Sequence, residues 1–206
     1  MVRGFVLLSL GPGELSRLIY SRLFAAERLQ DSEDGEGERE SSAAAELRHQ
    51  RQRLGGKEQL AAVARQVKSS CILARQAADK PLPDFGSMIT EEVAGPQDSD
   101  LGVFRLPAGD IFTEETTVVW MAVLSLGFAL ICDPYENLML AENTLRLMVK
   151  YLTEHLKLLI QGNDVVLKTD RIEVILNTFL PHGQLMFINC CFIQSLEKEL
   201  NASVFK

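Results

Sequence analysis

The residues best able to do chemistry in this chain are three histidines, His49, His155 and His182, and four cysteines, Cys71, Cys132, Cys190 and Cys191. A zinc site needs such ligands at short, repeated spacings, and no pair of these falls at one. A thiol hydrolase needs a cysteine activated by a nearby base or positive charge, and His182 with Cys190 or Cys191 is the best pairing available. No third residue to orient that histidine is visible, and cysteine in an apolar run is more often packed than reactive. Gly11-Pro12-Gly13 continues into neither G-x-x-x-x-G-K-[ST] nor G-x-G-x-x-G, so it predicts no phosphate cradle. The chemistry-bearing residues therefore predict no catalytic, cofactor or metal site.

Composition narrows the remaining classes. A net charge of -7, with no basic stripe interleaved with aromatics, argues against neutralising a phosphate backbone, so nucleic acid is not an expected partner. With 47% hydrophobic residues the chain has ample material for a core, and the surplus points to a buried partner surface. Cysteines in apolar runs without C-x-x-C spacing predict reduced thiols in a cytosolic protein. The apolar stretch from Phe5 to Leu10 is short for a secretory leader and lacks a small-residue cleavage site after it. The uncharged run from Thr116 to Cys132 falls short of the roughly 20 residues that a spanning helix needs, and its Val118, Val119, Val123 and Ile131 suit two buried strands.

Val2 to Leu10 predicts a buried first strand ended by Gly11-Pro12-Gly13. Leu15 to Phe24 fits a returning strand, although Leu15, Leu18, Ile19 and Leu23 also fit a helical face. From Gln30 to Gly56 an acidic run (Asp31 to Glu40) gives way to a basic one (Arg48, Arg51, Arg53), which predicts a solvated, disordered insertion. Lys57 then opens a helix with Leu60, Val63, Ala64, Val67 and Cys71 on one face. Asp79 to Asp100, rich in proline and glycine, predicts a loop. Gly102 to Leu106, Glu115 to Leu124 and Leu126 to Cys132 predict three strands in an antiparallel meander.

Asp133-Pro134 is expected to open a helix running to about Leu159, with Leu138, Ala141, Leu145, Met148, Leu152, Leu156 and Leu159 along one side. Asp170-Arg171-Ile172-Glu173 resembles a capping box, beginning a helix that ends at Pro181-His182-Gly183. Phe192 to Leu200 predicts a final short helix. Residues 1–206 thus read as one α+β domain carrying an insertion at 30–56 and a loop at 79–100.

Specific motifs go further than this order of elements. Thr117-Val118-Val119-Trp120, Leu124 through Leu130, Glu142 through Leu147, Asp170 through Glu173 and Phe179 through Leu185 resemble the sigma subunits of the fifth adaptor-protein complex, in the adaptor-complex small-subunit family. Lys57 through Leu60, Ala64 through Val67 and Leu196 through Glu199 extend the likeness over nearly the whole chain outside the two loops. The resemblance implies a longin-like fold, with a five-stranded, mainly antiparallel sheet flanked by helices. It implies a non-catalytic scaffold in a heterotetramer with two large chains, zeta and beta, and a medium mu chain, acting with spatacsin and spastizin and without clathrin. Membrane association would be peripheral, through the complex, on late endosomes and lysosomes, and no cofactor is expected.

In some members of that family a hydrophobic pocket accepts a dileucine sorting signal, and its apolar positions fall near Val123, Ser125 and Met148. Serine in the middle departs from the apolar pattern. Two other readings fit the residues less well: another longin-like trafficking module such as a tethering-complex subunit, and a small cytosolic thiol hydrolase.

Overall fold

The computed structural model describes residues 1–11, 17–24, 42–80, 99–109, 111–123, 125–156, 169–187, 191–195 and 198. Five strands form one sheet: β1 (Val2–Ser9), β2 (Arg17–Leu23), β3 (Ser99–Leu106), β4 (Thr116–Val123) and β5 (Leu126–Cys132). Their order is β2-β1-β5-β4-β3, and every pairing is antiparallel. The expected meander therefore stands as β3-β4-β5, with Val123 opposite Leu126 across a two-residue connection. Strand β1 slots beside β5 and places β2 on the far edge. With helices on the sheet, this is an α+β arrangement consistent with the longin-like fold.

Strands β1, β4 and β5 are buried almost throughout, because the sheet is covered on both sides. Helix α1 (Ser42–Ala77) covers one face, where Leu60, Val63, Ala64, Val67 and Cys71 join Val6, Leu8, Trp120, Ala129 and Ile131. Helices α2 (Leu138–Leu156) and α3 (Thr169–Phe179) cover the other, where Leu145, Met148, Leu152, Ile175 and Phe179 join Phe5, Leu7, Phe128 and Leu130. Successive side chains of a strand point to opposite faces, so each central strand must be apolar at nearly every position.

Several expectations are corrected. The first helix begins at Ser42, not Lys57, so 42–56 is helical where a disordered insertion was expected. The physical reason is local propensity: Ala43, Ala44, Ala45, Glu46, Leu47, Gln50 and Arg51 are all strong helix formers. Gly55 and Gly56, read as the end of the insertion, lie inside the helix. A side chain on Gly56 would sit 3.1 Å from Leu23 Cδ1, so the missing Cβ lets α1 pass close to edge strand β2. The rest of the insertion, and residues 81–98 of the second loop, lie outside the described residues. β3 begins at Ser99, taking the last two positions assigned to that loop.

The second helix starts at Leu138, four residues past Pro134. Asn137 caps it, its Oδ1 accepting from the Leu140 backbone N–H at 3.1 Å. Pro134 sits instead in the preceding turn, where Glu136 N–H donates to the Asp133 carbonyl at 3.2 Å. Residues 157–159, the predicted end of this helix, lie outside the described residues. α3 starts at Thr169, so Asp170 lies in its first turn and does not precede it. A carboxylate there still complements the helix dipole. The predicted last helix is described at 191–195.

Candidate functional site

The three expected pocket positions lie on β4, in the β4–β5 connection and on α2. Val123 ends β4 and is partly exposed, packing against the cluster that contains Met148. Ser125, in the connection, is only 3% exposed, and its carbonyl accepts from the Leu10 backbone N–H at 2.7 Å. Met148 is wholly buried on the inner side of α2. Val123 is thus the most exposed of the three, and Ser125 and Met148 are buried.

The two buried thiols are held apart. Cys71 and Cys132 are buried on opposite faces of the sheet. Burial pushes the Cys132 thiol up to about 12 and raises that of Cys71, so both are protonated, poor nucleophiles. His182 lies in a 3-10 turn at Pro181–Gly183. Its φ of 52° and the 76° of Gly183 turn the chain sharply back over the start of the sheet. A side chain on Gly183 would lie 2.4 Å from the Val2 carbonyl oxygen and 2.9 Å from Phe24 Cβ, which explains glycine there. Cys191 is exposed, Cys190 lies outside the described residues, and no His, Cys, Asp or Glu group among the described residues could hold a metal ion.

Two ionic clusters escaped sequence reasoning. At the end of α1, Arg75 Nε donates to Asp100 Oδ2 at 2.7 Å, and Lys80 Nζ donates to Asp100 Oδ1 at 3.0 Å. The Arg75 and Asp100 side chains are only 8% and 10% exposed. Burial alone would raise the Asp100 carboxyl, but hydrogen bonds from Lys80 and Arg75 and their charges outweigh it and hold its pKa below the usual value. One sequence signal did exist: Arg75 follows Cys71 by four residues and so continues the apolar face with a charge.

At the opposite end of the sheet, Arg3 bonds Asp133 and Glu114, and the Met1 amino group bonds Glu136 and lies 3.2 Å from Asp133. These groups tie the start of β1 to the turn after β5, where Asp133 N–H also donates to the Met1 carbonyl at 3.0 Å. Both clusters join elements distant in sequence. No described helix is long and apolar enough to cross a membrane.

Known proteins resemble the chain over nearly all of its length. A family model described as AP-5 complex subunit sigma-1 matches residues 1–201. The human AP-5 complex subunit sigma-1 is 46% identical over 189 residues, covering 92% of this chain and 89% of that protein. Its mouse counterpart is 43% identical over 145 residues, covering 70% of this chain and 79% of the relative. With a sheet of the order found here and a match that runs across both of its faces, the chain belongs to the AP-5 complex subunit sigma-1 family, a family of adaptor-complex small subunits.

Proposed function

We propose that this chain is the non-catalytic small subunit of a heterotetrameric adaptor that sorts cargo in endosomal and lysosomal vesicle transport. The observation that carries the reading is the family match over residues 1–201. In this reading the chain packs against the large zeta and beta subunits and the medium mu subunit, and the assembled complex works with spatacsin and spastizin on late endosomes and lysosomes. Exposed apolar side chains support a partner surface: Leu18 and Leu23 on edge strand β2, Tyr135 in the turn before α2, Met139 in its first turn, and Phe187 after the 3-10 turn. The buried, protonated thiols of Cys71 and Cys132 add nothing that a hydrolase would use. Affinity purification of the tagged full chain from cells tests the reading. Co-purification of the large and medium chains is expected, and recovery of no large chain overturns it.

Within that complex, Val123, Ser125 and Met148 are the proposed contacts for a dileucine signal. Calorimetry with a dileucine peptide on the assembled heterotetramer should show binding that Val123→Asp abolishes while assembly persists. Unchanged binding by that variant would remove these positions from the pocket.

A further inference from the structure

We draw no further inference here: the strongest candidate, the exposed apolar corner of Met1, Tyr135 and Met139 where strand β5 turns into helix α2, carries none because nothing in the structure shows what covers it.

Discussion

The two faces of the sheet are filled in different ways. Under α2 and α3 the core is built from large side chains, including Phe5, Phe128, Phe179, Leu145, Met148, Leu152, Ile172 and Ile175, all fully buried. Under α1 the helix contributes mostly smaller groups, Val63, Ala64, Val67 and Cys71 beside Leu60, and the sheet supplies Trp120 as the bulkiest partner. Trp120 lies across Gly102 of the neighbouring strand, where any Cβ would come within 2.7 Å of its ring. One face is held by many interlocking large residues, and the other by a long helix lying close over a sheet that has made room for it. Interiors are close-packed, so either solution works, but each fails at a different kind of substitution.

That contrast can be broken most severely on the α2 and α3 face. Phe179→Ala should lower unfolding stability by about 4 kcal/mol, because it removes a ring and leaves a cavity, whereas Val67→Ala on the α1 face should lose roughly half as much. Denaturant unfolding of the two variants decides it. On the α1 face the sensitive change is the addition of volume: Gly102→Ala should cost about 2 kcal/mol by pushing Trp120 out of place, with an altered tryptophan emission as the independent sign. Equal losses from Phe179→Ala and Val67→Ala, or a silent Gly102→Ala, would show that the faces are packed alike.

The ionic clusters sharpen the comparison at smaller amplitude. Asp100→Asn leaves Arg75 buried beside a neutral amide and should cost about 3 kcal/mol at most, while Arg3→Met in the more exposed cluster should cost less than about 1 kcal/mol. The folded-state pKa values of Asp100, Asp133 and Glu136 are all depressed. For Glu136 the leading cause is its hydrogen bond from the Met1 amino group, whereas for Asp133 burial acts upward and is outweighed by the hydrogen bonds from Arg3 and that amine. The unfolded chain therefore binds more protons near these values, and the stability they contribute is complete above unfolded pKa values of about 4. It is lost as pH falls through the lower folded values. Melting temperature should change little through these groups between pH 7 and 5 and decline below about 4, less steeply in Asp100→Asn; an equal decline in that variant would deny Asp100 its part.

The smallest expected effect has the opposite sign. The Thr144 hydroxyl is buried inside α2 and has no hydrogen-bond partner among the described residues. Thr144→Val replaces that orphan with a methyl group of similar size and should stabilise the chain by about 1 kcal/mol. A loss of stability on thermal melting would mean that the hydroxyl is satisfied after all.

How far each region could be read in the sequence follows from how its signal is written. In α2 the residues Ala141, Leu145, Met148 and Leu152 recur at helical spacing, so the buried side of that helix was legible. The same holds for β4 and β5, whose continuous apolar runs match strands buried on both faces. The start of α1 was missed because an acidic run followed by a basic one reads as a solvated insertion when propensity is ignored, and its glycines read as a boundary. The three proposed pocket positions came only from the family resemblance, with no local pattern of their own. That Ser125 and Met148 are buried while Val123 is partly exposed is a matter of tertiary packing, which local sequence does not record.

By itself the sequence determined most of the element types, the absence of any legible catalytic motif and the family resemblance, since these depend on local periodicity, residue chemistry and motif identity. Tertiary structure alone decided that 17–23 is a strand, because Leu18, Ile19 and Leu23 fit a helix equally well until β1 offers hydrogen-bond partners, with Gly4 opposite Leu23 and Ser9 opposite Arg17. It also decided that Gly183 must adopt positive φ beneath the Val2 carbonyl, and that Asp100 answers Arg75 across 25 positions of chain. Such contacts are long-range: the residues that make them carry no local signal of their partner, and only the closing of the sheet between its helices brings them within reach.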